Sequence, residues 1–224
     1  MNNPGEEWRP VMRYRRLVRT TLTCSLAIGF LAAGISALAP QAAAPITLGI
    51  GRVSIAGTSN VLDYTATTTI LRITRVQLAS QVAVNASWDE VTKPGVLEAF
   101  EIAIAALTLK SGKDGLDKNM YKALNTAQHP DITFRLLRFQ PGAIAGTLKA
   151  AGMLTIAGTE REVTLDLKTE PKDATLIVKG ELPLVMTDYG VKPPKAMLGM
   201  IKTNPKVTVT FEIVLAAADV TAAR

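Results

Sequence analysis

The sequence predicts an all-β protein whose body is one antiparallel barrel with one or two short helices. Three observations predict it. Several stretches alternate apolar and polar residues with period two, the pattern of half-buried strands in an antiparallel sheet. Short segments of turn chemistry separate them: AGTERE (157–162), EPKD (170–173) and QPG (140–142). No linker, repeat or low-complexity tract divides the chain after residue 45. With 5% aromatic residues, the core must be aliphatic.

The elements follow in chain order. ITLGIGRVSIAG (46–57), LDYTATTTI (62–70), LRITRVQLA (71–79) and VLEAFEIAIAAL (96–107) read as strands, less cleanly than those after them. GLDKNMYKALN (115–125) reads as a helix, because Leu116, Met120 and Leu124 recur four apart on one face. Asp114 is its expected N-cap, Asp117 suits the positive N-terminal end, and Pro130 stops anything longer. DITFRLLRF (131–139) places Ile132, Phe134 and Leu136 on one face. VTLDLKT (163–169) does the same with Val163, Leu165 and Leu167. ATLIVKGELPLVM (174–186) aligns Leu176, Val178, Leu182, Leu184 and Met186, and KVTVTFEIVL (206–215) aligns Val207, Val209, Phe211, Ile213 and Leu215. A second short helix is expected to begin at Pro193-Pro194, since proline is tolerated in a first turn, and to run over KAMLGM. That makes about eight strands. Closing such a sheet removes its edges, and an eight-stranded barrel holds either side chains or one ligand. A two-sheet sandwich is the competing arrangement.

The first 44 residues read differently. RYRRLVR (13–19) is a positive block, TTLTCSLAIGFLAAGISALA (20–39) has no charge, and PQAAAP (40–45) is small and polar. This is the order of a secretory signal, and it divides the chain into 1–44 and a domain at 45–224. The uncharged run also reaches the ~20 residues that span a bilayer, so retention as an N-terminal anchor is the alternative. Either reading places the domain outside the cytoplasm, secreted or in the periplasm, and residues 20–39 contact the membrane if retained. Half of the net charge of +6 belongs to this segment, with five Arg against two acids. The remaining 20 Lys and Arg against 17 acids argue against nucleic acid as a partner.

Catalytic chemistry is not legible. Cys24 is the only cysteine and lies within the uncharged run, so the body has no thiol and no disulfide. His129 is the only histidine; it precedes Pro130 and reads as a capping or surface residue. One His and no body Cys exclude zinc sites built on His or Cys clusters. Asp188, before a Tyr-Gly turn, reads as a turn former, and Gly51, Gly57, Gly152 and Gly158 as bends and turns in strands. No metal site and no catalytic residue is expected, so the chain is read as a non-enzyme. One positive feature remains: Lys192, Lys195, Lys202 and Lys206 lie between Tyr189 and Phe211 with no acid among them. They are either a solvated face or a positive rim suited to an anionic head group, Lys192 and Lys195 foremost.

Several stretches together resemble one family. They are ITLGIGRVSIAGTSNVLDY (46–64), KNMYKALNTAQHPDITFRL (118–136), AGMLTIAGTEREVTLDL (151–167) and VMTDYGVKPPKAMLGMIKTNPKVTVTFEIVL (185–215). In order and spacing they are similar to the YceI-like, lipid- or polyisoprenoid-binding proteins. The HPDITF after the helix, the G-x-L-T-I-x-G hairpin and the D-Y-G strand end are the most specific parts. The resemblance implies a lipocalin-like, eight-stranded antiparallel barrel of the bacterial periplasm. It also implies a long isoprenoid such as a quinone or a polyprenyl phosphate as ligand, with no other cofactor. The chain departs from many members in carrying LDKNMYKAL (116–124) where they have a charged stretch, which leaves the ligand open. On this reading Phe134, Leu165, Leu182, Leu184, Met186, Val209 and Phe211 line the lumen, and Met197 belongs to an apolar lid. The function expected is non-covalent carriage or scavenging of a hydrophobic molecule. The alternatives are an envelope structural or stress protein whose barrel its own side chains fill, a hydrolase using scattered carboxylates, and a module that presents its loops to another protein. A homodimer is compatible with the sequence.

Overall fold

The computed structural model describes residues 45–80, 86–196 and 200–217. The strands are β1 (Ile46–Ser59), β2 (Asp63–Thr68), β3 (Leu71–Leu78), β4 (Leu97–Ala105), β5 (Asp131–Pro141), β6 (Thr147–Ile156), β7 (Thr159–Lys172), β8 (Thr175–Val185), β9 (Lys195–Ala196) and β10 (Ile201–Ala217). Helix α1 is Trp88–Val91 and α2 is Asp114–Ala123; two 3-10 turns span Ala106–Thr108 and Met186–Tyr189. Nine strands form one antiparallel sheet in the order β2-β1-β10-β8-β7-β6-β5-β4-β3, and β9 pairs with β10 off that path. The fold is an all-β curled barrel rather than a sandwich, because the hydrogen-bonded path never breaks into two sheets.

Its count differs from the expected eight strands. The additional long strand is β6, TLKAAGMLTI, where Ala150, Ala151 and Gly152 blur the alternation in mid-strand. Elsewhere the period-two pattern is realised as read, with inward residues of neighbouring strands in register: Val209 opposite Leu182, Phe211 opposite Gly180, Ile213 opposite Val178. Bulges preserve the inner face where the parity changes. On β5 the register shifts between Leu136 and Arg138, which puts Leu137 outside at 44% exposure and returns Phe139 to the lumen. On β1 a shift between Leu48 and Gly51 leaves Ile50 81% exposed. The outer face is laced by cross-strand ion pairs, Arg135–Glu160 at 3.0 Å, Arg138–Glu162 at 2.8 Å and Lys149–Asp166 at 3.0 Å. Exposed pairs of this kind add little stability and mainly disfavour slipped register.

The two outer strands, β2 and β3, are not hydrogen-bonded to each other. The chain covers the free edge of β2 with residue 110: Thr67 and Lys110 exchange both backbone hydrogen bonds, at 2.8 and 3.0 Å. Beside them the Thr68 and Thr108 hydroxyls lie 2.8 Å apart. β3 leans on β1 at Gly51, where a Cβ would stand 3.0 Å from Leu71 Cδ1.

Each end of the barrel receives a helix. At the lower end α1 inserts Trp88 and Val91, both buried, against Ile46 and Leu176. The Trp88 indole N–H donates to the Ala174 carbonyl at 3.1 Å. At the upper end, α2 starts one residue earlier than expected, and its N-cap is Lys113, with no side-chain cap from Asp114. Asp117 reaches back instead: its Oδ1 accepts from the Ser111 N–H at 2.8 Å and from Ser111 Oγ at 2.6 Å. The Tyr121 hydroxyl donates to the Leu109 carbonyl at 2.7 Å and fastens the helix to the buried Leu109.

The expected helix after Pro193-Pro194 is not what residues 195–196 form. Lys195 and Ala196 pair as strand with Lys202 and Ile201, and the Pro194 carbonyl accepts from the Thr203 N–H at 3.2 Å. Prolines hold their preceding residues extended, and β10 offers that extended chain a ladder. Met197 and Leu198, the centre of the expected lid, lie outside the described residues. Among the described residues no helix is long and apolar enough to cross a membrane.

Candidate functional site

The inward faces do not meet across the barrel. They leave a lower cavity of about 220 Å³ and an upper one of about 380 Å³. Ile55, Ile132, Ile156, Leu184 and Val209 line both, so the two compartments adjoin. Among the described residues, Thr92 is the only one lining the lower compartment with a hydroxyl, amide or charged side chain. Of the residues expected in the lumen, Phe134, Leu165, Leu182, Leu184, Val209 and Phe211 line the lower cavity. Met186 lines the upper one, together with Leu184 and Val209. Met197 lies outside the described residues.

The space exists because glycines stand where large side chains would otherwise project. A Cβ on Gly180 would meet Phe211 Cζ at 2.4 Å, and one on Gly152 would meet Phe134 Cζ at 2.3 Å. A Cβ on Gly57 would meet the Tyr64 hydroxyl at 2.3 Å. Each ring therefore occupies the space beside a strand glycine that a larger side chain there would take. Gly57 and Gly152 are strand residues beneath rings, not the bends expected of them; Gly158, at φ +79°, is a turn residue packed under the His129 ring.

Among the described residues, most polar lining groups gather above. Ser59, Tyr64, Ser111, Asp117, Asn119, Tyr189 and Thr203 line the upper cavity. Asp117 is 5% exposed, and its hydrogen bonds from Ser111 hold its carboxyl below the usual carboxylate range. The ammonium of Lys110 adds to this from 4.0 Å, while burial opposes it. Asp117 is therefore an anion at neutral pH. Burial pushes the Tyr64 and Tyr189 phenols up, so both keep their protons. No Lys or Arg among the described residues lines either compartment. Lys192 and Lys195 are exposed and flank Val191 and Pro194, which do line the upper one.

Such a site can bury an apolar chain and offer neutral hydroxyls and one carboxylate to its end. Asp188 is exposed in the Met186–Tyr189 turn, and its carbonyl accepts from Arg161 Nε at 2.6 Å. Among the described residues no group of three or more His, Cys, Asp and Glu side chains is placed to hold a metal ion. Sequence reasoning missed Trp88 and Val91, which line the lower cavity, and Tyr64, Asn119 and Tyr189, which line the upper. The signal for α1 was present in Ser87 followed by Trp-Asp-Glu, a helix start with acids in the first turn.

Comparison with known proteins agrees with this architecture. A polyisoprenoid-binding domain from Saccharophagus degradans, implicated in plant cell wall breakdown, superposes with a TM-score of 0.58 at 11% identity, over 79% of this chain and 100% of that one. BcnA of Burkholderia cenocepacia superposes with a TM-score of 0.57 at 15% identity, over 73% and 95%. No curated protein matches the sequence. The family model described as the YceI-like domain matches residues 51–215, from the Gly51 bulge of β1 to Leu215 of β10, and the chain belongs to that family.

Proposed function

We propose that the protein binds a long-chain lipid of the isoprenoid type without chemistry, its tail in the lower cavity and its polar end in the upper. The observation that carries this reading is the lower cavity, about 220 Å³ walled almost entirely by hydrocarbon and kept open by glycines under rings. Left unfilled, such a space denies its lining side chains the packing contacts they would otherwise make. Filling it with a chain gains roughly 0.8 kcal/mol per buried CH₂. The polyisoprenoid-binding domain of Saccharophagus degradans, similar in fold, supports the ligand class.

The polar lining favours an uncharged head group. A phosphate drawn into the upper cavity would be desolvated beside the Asp117 anion, with no cation lining that cavity among the described residues. A quinone carbonyl or an alcohol can instead accept from Tyr or Asn. The biological role that suits such burial is a carrier or scavenger exported to the periplasm or beyond, by way of the segment at residues 13–45.

Native mass spectrometry of the protein purified from its cells without detergent, followed by organic extraction, tests this. The expected result is a discrete added mass that extracts as a neutral isoprenoid. A bare polypeptide mass that takes up neither quinones nor polyprenyl phosphates overturns it. A bound phosphate lipid overturns the head-group assignment alone.

A further inference from the structure

Two loops meet beside the upper cavity, and Asn60 ties them together. Its Nδ2 donates to the Met200 carbonyl at 2.9 Å, and its Oδ1 accepts from the Lys202 N–H at 2.7 Å. Its own N–H donates to the Lys202 carbonyl at 3.2 Å. On this joined tip Val61 is 61% exposed and Met200 73% exposed. Leu62, Pro194 and Ile201 of the same loops line the upper cavity, so the tip forms part of that cavity's edge.

The charges around the tip are one-sided. Lys195 and Lys202 stand directly opposite each other in the β9–β10 pair, and both are exposed, as is Lys192. Like charges directly opposite in a sheet destabilise it. No carboxylate of the described residues forms an ion pair with any of the three. Residues 59–63, 191–196 and 200–203 together hold these three lysines and one acid, Asp63.

We propose that this tip docks on the surface of an anionic lipid bilayer. Lys192, Lys195 and Lys202 lie at the head groups, and Val61 and Met200 enter the interface. Exposed apolar side chains on loops that also carry exposed lysines are the composition of an interfacial anchor, and an anionic surface relieves the Lys195–Lys202 repulsion. A second copy of this chain, packed by the same patch, would instead bring the lysines against each other. Docked this way, the cavity edge faces the membrane, so a lipid can pass between them without crossing bulk water. The docking itself does not depend on what the barrel holds.

A polarity-sensitive fluorophore on Met200→Cys, in a Cys24→Ser background, reports the surroundings of the tip, and the dependence of its shift on lipid charge and salt separates tip docking from insertion of residues 20–39. The dye is expected to shift to the blue on phosphatidylglycerol–phosphatidylcholine vesicles, and far less on pure phosphatidylcholine, with the shift weakening in salt. Lys195→Gln with Lys202→Gln is expected to weaken vesicle binding roughly 30-fold, and the double Arg variant to retain it. Both variants change exposed side chains, and an unchanged far-ultraviolet spectrum verifies their folding. An absent shift on anionic vesicles overturns the proposal, as does an equal shift on neutral ones or in the Gln variant. A shift that grows with protein concentration in the absence of vesicles assigns the patch to a second copy and also overturns it.

Discussion

At the residue scale, Asp117 carries the most consequence per atom. It is a first-turn acid of α2, a wall of the upper cavity and the partner of Ser111. Because its folded pKa lies below the unfolded value of ~3.9, it contributes stability above that pH. The contribution is lost as pH falls through the folded value. Asp117→Asn is therefore expected to lower the melting temperature at neutral pH and to flatten its fall below about pH 4, as followed by circular dichroism. Ser111→Ala keeps the backbone N–H contact but removes the hydroxyl donor to a carboxylate, and is expected to cost about 1.5–3 kcal/mol. The sequence placed Asp117 in the right turn of the helix but not its partner. Ser111 precedes the helix, and only the path of the chain out of the buried Leu109 brings it back to the carboxylate.

At the scale of elements, β6 and β8 define the lumen through what they lack. Gly152 and Gly180 face inward in strands whose other inward residues are Leu, Ile, Val and Ala, and the rings of Phe134 and Phe211 lie over them. Gly180→Val is expected to drive the Phe211 ring off β8 into the lower cavity. The fold should persist at a cost of about 1–3 kcal/mol, as overpacked cores do. Uptake of a fluorescent fatty probe should fall sharply, which a titration reads directly. The alternation that revealed β8 and β10 fails in β6, because Ala150-Ala151-Gly152 is neither polar nor large on either face. At residues 195–196 the helix expected after Pro193-Pro194 gave way to strand for a related reason. Proline fits a first helical turn and an extended segment alike, and the partner strand that decided for β9 begins only at Ile201.

For the whole molecule, the strand order joins the first long strand to the last, β1 to β10, so the middle of the sheet path depends on contacts far apart in sequence. A sheet curled in that way around an unfilled hydrocarbon space is stabilised by whatever fills it. A neutral isoprenoid present at about 100 times its dissociation constant is expected to add about 2.7 kcal/mol. That corresponds to a rise of about 5–10 °C in the melting temperature of the delipidated protein. Differential scanning calorimetry with and without a quinone measures it, and an unchanged midpoint would mean that the cavity does not take that lipid.

The sequence by itself determined which residues face inward on most strands, the position of α2 to within two residues and the all-β class. Each of these is written in a local period, two for a strand and near four for the helix, and a local period survives without knowledge of the fold. Phe134, Leu165, Leu182 and Phe211 were legible for that reason. Only the tertiary structure decided the ninth long strand, the bulges that turn Ile50 and Leu137 outward, and the joining of Ser111 to Asp117. It also decided that the inward residues surround a space instead of closing it. Whether two opposing walls touch depends on barrel radius and on which ring lies over which glycine, and both are set by pairings between strands distant in the chain.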